Sequence, residues 1–329
     1  MIITQTPLRI SLAGGGTDFK DYYQDEEGMV LSTAIDKYVF VIVTERFDEK
    51  IYVNYSRKEI VDSVDEIQHE LVREALRRVG VKQGVEITML ADIPSEGSGL
   101  GSSSSLTVGL LNAFYMFQGE QMPAATLARE ACEIEIDTCG KPIGKQDQYI
   151  AAYGGIRQIT FRRDDSVDVE KIALPSQQHR RLSSELMLFY TDVNRKSSDI
   201  LTEQRDQIKN NLDNLRNIKR HAAQIRNAIE GAEFNLIGTI MNESWAAKRK
   251  LGSKISNATL DDMYEMAVSA GATGGKISGA GGGGFLLLYV PMSKQESVRN
   301  AMRGHRELPF MLEQDGSKVI FNFKRYSSR

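Results

Sequence analysis

Apolar and β-branched residues dominate positions 2–12 (IITQTPLRISL), 38–44 and 51–55, and each segment predicts a strand. Val85, Ile87 and Met89 alternate with polar neighbours and predict another strand. Between them the period lengthens. Val64, Ile67, Leu71 and Ala75 share one helical face, Ser63 and Glu66 have capping-box spacing, and Gly80 stops the pattern. A helix is therefore predicted from Ser63 to Val79. Two more helices are predicted, from about Ser103 to Phe117 and from Pro123 to about Asp137, followed by a strand at 156–162.

The polar stretch Arg162 to Ser184 reads as a linker. Beyond it, Leu186–Thr191 predicts an apolar strand. Residues 198–229 carry Leu201, Ile208, Leu212, Leu215, Ala222, Ile225 and Ile229 at helical spacing, a stripe that reads as core-facing. Thr259 to Ala270 predicts a short capped helix, and Phe285–Val290 and Val319–Phe323 predict strands. Together these elements predict an α+β protein with two domains, residues 1–175 and 176–329.

Composition changes this picture in one respect. Hydrophobic residues make up 41% and charged residues 26%, enough apolar content for a substantial core. The formal charge of −3 supplies no basic excess for a nucleic-acid partner. No apolar run is long enough for a bilayer, and the N-terminus lacks a secretory pattern, so a cytoplasmic, non-membrane protein is expected. Two cysteines, Cys132 and Cys139, make no disulfide framework, and the four histidines have no metal-ligand spacing. No G-x-S-x-G nucleophile elbow is present. Glycine is the distinctive residue: many of the 28 fall in three clusters, at 14–16, 97–101 and 271–284.

The cluster PSEGSGLGSSSSL follows a predicted strand and opens a predicted helix. Glycine lets backbone N–H groups converge, and a helix N-terminus adds donors and partial positive charge, which suits a nucleotide phosphate. Gly97, Ser98, Gly99, Leu100, Gly101, Ser102, Ser103 and Ser104 are the candidate ATP-binding residues; the loop lacks the Gly-Lys-Ser/Thr of a Walker A motif. One of its serines could also give a hydroxyl to Mg²⁺. The cluster at 279–284 fits G-x-G-x-x-G, but a helix precedes it and a strand follows, which excludes a dinucleotide fingerprint. It reads instead as a turn lining the same cleft, with Gly279 and Gly281 on the substrate side. In the first cluster, Gly14, Gly15, Gly16, Thr17 and Asp18 follow a strand bearing Arg9 and are candidate substrate-binding residues. Glu135, near a helix end, and Asp147, after a turn, could serve as metal ligand and general base. Arg195 and Lys196, just beyond a strand, could hold a substrate phosphate or could be solvated loop charges.

Three glycine motifs in this order, PLRISLAGGGTDF, PSEGSGLGSSSSL and GGKISGAGGGGF, with GKPIGKQDQ between the last two, resemble the GHMP sugar and isoprenoid kinases along nearly the whole chain. The resemblance implies an N-terminal domain like ribosomal protein S5 domain 2, a ferredoxin-like C-terminal domain, and ATP meeting a small-molecule acceptor between them. It implies that Asp147 is the catalytic aspartate, that Arg9 is its basic partner, and that Ser103 and Glu135 are Mg²⁺ ligands, with Ser102 and Ser104 as alternatives for the serine. Within the family the segments are most similar to kinases of heptose 7-phosphate. That implies phosphorylation of the anomeric hydroxyl to the 1,7-bisphosphate. Gly15 and Gly16 stand where galactokinases carry Glu-His, which argues against galactose. Kinases of unphosphorylated sugars such as L-fucose are the nearest alternative. A non-catalytic sugar-sensing regulator is a further one, disfavoured by the presence of Arg9, Glu135 and Asp147. The sequence sets no oligomeric state.

Overall fold

A computed structural model describes residues 1–94, 97–193 and 196–323. The first sheet is assembled from β1 (Ile2–Ala13), β2 (Gly28–Glu45), β3 (Ile51–Asn54), β4 (Lys58–Val61), β5 (Val85–Ala91), β6 (Ile156–Phe161) and β7 (Val167–Lys171). The second contains β8 (Leu186–Tyr190), β9 (Gly274–Ile277) and β10 (Phe285–Tyr289), in the order β8-β10-β9. The last strand, β11 (Lys318–Asn322), crosses back and pairs antiparallel with β1 at the edge of the first sheet. The helices are α1 (Lys20–Tyr23), α2 (Glu70–Val79), α3 (Ser102–Gln118), α4 (Ala124–Cys132), α5 (Gln146–Tyr153), α6 (Ser176–Ser184), α7 (Ser197–Asp206), α8 (Leu212–Glu230), α9 (Asn235–Lys248), α10 (Ala258–Ser269) and α11 (Gln295–Ala301).

The long β2 organises the first sheet, because it pairs antiparallel with β1, β5 and β6. Strand alternation then sorts β1 by face. Leu8, Ile10 and Leu12 enter a core shared with Ala222 and Ile225 of α8 and Phe285 and Leu287 of β10. Arg9 and Ser11 point the other way, into the cleft. One apolar core therefore runs through both sheets. A second core packs α2, α3, α4 and α5 under the first sheet, and a third packs α10 and α11 against β10.

Several predicted elements are corrected. The helix expected over 63–79 is a 3₁₀ turn at Val64–Glu66 followed by α2. Ser63 bonds the Glu66 carboxylate at 2.7 Å instead of capping the backbone, and Glu59 takes the N–H groups of Gln68 and His69 at 2.6 and 3.2 Å. The expected linker 162–184 contains β7 and α6, an edge strand and a surface helix whose polarity comes from exposure. The stripe at 198–229 is two helices separated by a 3₁₀ turn at Ile208–Asn211. No helix among the described residues is long and apolar enough to cross a membrane.

Candidate active site

The strand face that carries Arg9 puts a guanidinium, 4% exposed, beneath the start of α5. Arg9 Nε donates to Asp147 Oδ1 at 2.7 Å and Nη2 to Oδ2 at 2.6 Å, a bidentate pair. Its Nη1 donates to the Gly99 carbonyl at 2.6 Å, and its backbone N–H reaches the Leu100 carbonyl at 3.0 Å. One side chain thus ties the 97–101 loop to the carboxylate. Asp147 keeps about a quarter of its side chain exposed to the cleft.

Gly101 caps α3 with φ +80°, a conformation glycine adopts without the cost a Cβ imposes. A Cβ there would also lie 3.1 Å from Arg9 Cγ and 3.4 Å from Asp147 Oδ2. The first N–H groups of α3 therefore open beside the Arg9–Asp147 pair. Ser98 and Ser102 face each other through their hydroxyls at 3.2 Å, and both are buried, as are Leu100 and Ser104. Gly97 and Ser98 pack under Gly284, and Gly99 packs against Ser278 and Gly279, so the second and third glycine clusters touch.

Of the candidate serines, Ser103 is the exposed one, and its hydroxyl donates to Glu135 Oε2 at 2.7 Å. Glu135 is fully buried on a π-helical turn, Glu133–Thr138, and Gln148 donates to its other oxygen at 3.0 Å. Lys141 lies 3.1 Å from the serine oxygen and 3.6 Å from Glu135 Oε2. A hydroxyl and one carboxylate at the start of α3, beside the glycine loop, fit Mg²⁺, a cation that usually takes one or two protein carboxylates and completes its shell with phosphates and water. No group of three or more acidic, histidine or cysteine ligands exists among the described residues.

Asp18 is buried and collects the N–H of Gly16 at 2.9 Å and the Gln146 amide at 3.0 Å. Burial raises its pKa above the ordinary carboxylate value, and the Asp147 charge adds to that. Asp18, Gly15, Gly16 and Gly279 line the cleft with Arg9 and Asp147. Gly14 and Thr17 do not; the Thr17 hydroxyl closes the turn onto the Gly14 and Met29 carbonyls. Gly281 packs against Ile255 instead of the cleft. Lys196 is exposed at the start of α7, and Arg195 lies outside the described residues.

Residues not singled out by motif also reach the cleft. Gln146 and Gln204 line it, and Gln204 holds the Ala280 carbonyl at 2.8 Å. Lys248, at the end of α9, donates to the Gly279 carbonyl. Burial, then the Arg9 charge, lowers the Lys248 pKa to about 8. Lys276 of β9 donates to the Ser11 carbonyl at 2.9 Å, and burial with the nearby Lys248 and Arg9 charges pulls its pKa well down. Lys276 sits inside a quoted motif, so its position was a usable signal. Lys248 sits in AAKRK, which reads as an ordinary basic helix end.

Comparison with known proteins gives concordant findings. The family model "GHMP kinases N terminal domain" matches residues 60–155, and "GHMP kinases C terminal" matches residues 225–307. The chain is 31% identical to a D-glycero-alpha-D-manno-heptose 7-phosphate kinase of Campylobacter jejuni, over 92% of this chain and 93% of that protein. It is 26% identical to an L-fucokinase/L-fucose-1-P guanylyltransferase of Bacteroides fragilis, over 90% of this chain and 35% of that longer protein. A crystal structure of a D-glycero-D-manno-heptose 1-phosphate kinase from Bacteroides thetaiotaomicron superposes with a TM-score of 0.83 at 26% identity, covering 99% of this chain and 100% of that one.

Proposed function

Because the chain belongs to the GHMP kinases, with their two-domain fold and sugar kinase relatives, we propose that it transfers the γ-phosphoryl group of ATP to the anomeric hydroxyl of D-glycero-D-manno-heptose 7-phosphate, giving the 1,7-bisphosphate. One observation carries the catalytic part: the Asp147 carboxylate, clamped by Arg9, lines the cleft and stands beside Gly101 at the start of α3. The acceptor assignment draws support from the 31% identical relative.

A carboxylate offers about four lone-pair sites, and Arg9 takes two of them. The remaining pair facing the cleft accepts the proton of the acceptor hydroxyl. The acceptor oxygen bonds the γ-phosphorus, the bridging bond to the β-phosphate breaks, ADP leaves, and Asp147 later releases the proton to solvent. Arg9 fixes the carboxylate in one orientation. The N–H groups of Gly99 to Ser103 hold the phosphates, and Ser103 and Glu135 would hold Mg²⁺, which would supply positive charge against the phosphates. Asp18, with Gln146, would orient the sugar hydroxyls.

The test is ADP formation across a panel of sugars and sugar phosphates, with the product position read by phosphorus NMR. Heptose 7-phosphate should give the highest kcat/KM and a 1,7-bisphosphate. Preferential use of L-fucose or another unphosphorylated sugar would reject the acceptor assignment, and no ADP with any sugar would reject the kinase reading.

A further inference from the structure

Two buried cations line the cleft, Arg9 and Lys248, and a third, Lys276, sits behind it on the Ser11 carbonyl, with residue exposures of 4%, 5% and 3%. Only Arg9 has a carboxylate partner there, and its contacts are spent on Asp147 and Gly99. Neither lysine makes an ion pair among the described residues. Each ammonium has three donors, and each meets one carbonyl among the described residues, Gly279 for Lys248 and Ser11 for Lys276. The carboxylates that face the cluster are Asp18 and Asp147. A buried ammonium either sheds its proton or takes an anionic partner, and an anion bound beside these lysines would favour their charged forms.

Two hydroxyls belong to residues at or next to the carbonyls these lysines hold. Ser11 Oγ and Ser278 Oγ are buried without a hydrogen-bond partner among the described residues. Ser11 is the residue whose carbonyl Lys276 holds, and Ser278 precedes the one whose carbonyl Lys248 holds. Lys248, Ser11 and the side-chain-free Gly15 and Gly16 line the acceptor cleft with Asp147, whereas Ser102, Ser103 and Ser104 do not. The anion therefore belongs to the acceptor side of the site.

We propose that Lys248 and Lys276, with the hydroxyls of Ser11 and Ser278, bind the phosphate that the acceptor sugar already carries. This rests on the reading of the protein as a kinase of a sugar phosphate. It replaces the exposed Lys196 as the source of that recognition.

The experiment is calorimetric titration of the intact protein with heptose 7-phosphate, unphosphorylated heptose and ATP, for wild type, K248M, K248R and K196A. The expected result is that K248M weakens heptose 7-phosphate roughly 10- to 150-fold, the range of a lost charge-assisted contact. ATP affinity and the far-UV circular dichroism spectrum should stay close to wild type, K248R should recover most of the loss, and K196A should bind normally. If K248M weakens ATP, or weakens both sugars equally, the cluster serves the transferred phosphoryl group or the fold, and the proposal is overturned. An unchanged heptose 7-phosphate affinity in K248M overturns it too. Inorganic phosphate, used as a competitor of the acceptor in the ADP assay, separates this inference from the acceptor identity. If heptose 7-phosphate is not the acceptor but phosphate still competes in wild type and not in K248M, the anion site stands with another phosphorylated sugar. If phosphate competes equally in both, the site is not there.

Discussion

At Asp147 chemistry and geometry can be separated by one atom. Asp147→Asn keeps size and some hydrogen bonding but removes the basic carboxylate and the charge that Arg9 holds at 2.6 and 2.7 Å, the features our proposed proton transfer needs. Turnover should fall roughly 10²-fold or more while ATP binding stays intact. Near-normal turnover in steady-state assays would remove Asp147 from proton transfer. Lys248 supports a different kind of prediction. Burial and then the Arg9 charge lower its folded pKa from 10.5 to about 8, while Asp18 and Asp147 favour its charged form. Between those pH values the unfolded chain holds a proton that the folded chain has shed. Stability contributed at this position must therefore rise with pH from about 8 to about 10.5. Urea unfolding at pH 7.5, 8.5 and 9.5 should show wild type gaining on K248M as pH rises; a constant difference would contradict the buried ammonium. Arg9 and Asp147 were legible because each sits beside a glycine motif. Lys248 was not, since nothing in AAKRK distinguishes a lysine turned inward from its solvated neighbours.

Contact between loops is the decisive feature at the scale of elements. The 97–101 loop and the turn at 278–284 fit together because neither carries side chains at the crossing. A Cβ on Gly99 would lie 2.5 Å from the Ser278 carbonyl oxygen, and its φ of +70° is strained for any other residue. Gly99→Ala should therefore pry the loops apart. ATP affinity should drop, and the melting temperature should fall by several degrees, since a strained, overpacked substitution typically costs about 1–3 kcal/mol. Isothermal titration with ATP beside a thermal melt checks both, and unchanged values in each would mean the loops do not need this contact. The elements that sequence reasoning placed well, β1, α3 and β10, are those with a long apolar pattern and a sharp boundary. It failed where side chains compete with the backbone. Glu59 captures the N–H groups of Gln68 and His69, so the helix expected from Ser63 begins only at Glu70. Polar faces also hid β7 and α6, because an edge strand or surface helix buries too little to leave a period.

Across the whole molecule, the question is whether two sheets mean two folding units. The division between 1–175 and 176–329, which we retain as a proposal, follows the sheets except at β11, which belongs to the first sheet and comes from the end of the chain. Such a return is invisible to pattern reading, since a short strand carries no mark of its partner. Its connection is reinforced where Ser317 meets Thr6 at 2.8 Å and Asn112 at 3.0 Å. More important is the core that Leu8, Ile10 and Leu12 share with α8 and β10, because neither half can keep its share of that apolar surface buried alone. We therefore expect one cooperative transition. The single tryptophan, Trp245, lies buried in α9 and reports on the second half only, whereas far-UV circular dichroism reports on the entire chain. Urea midpoints from the two signals should coincide. A fluorescence midpoint well below the dichroism midpoint would mean that the second half opens first. The cleft, lined by Arg9 and Ser11 of β1 on one side and by Lys248 of α9 and Gly279 on the other, would then come apart before α3 unfolds.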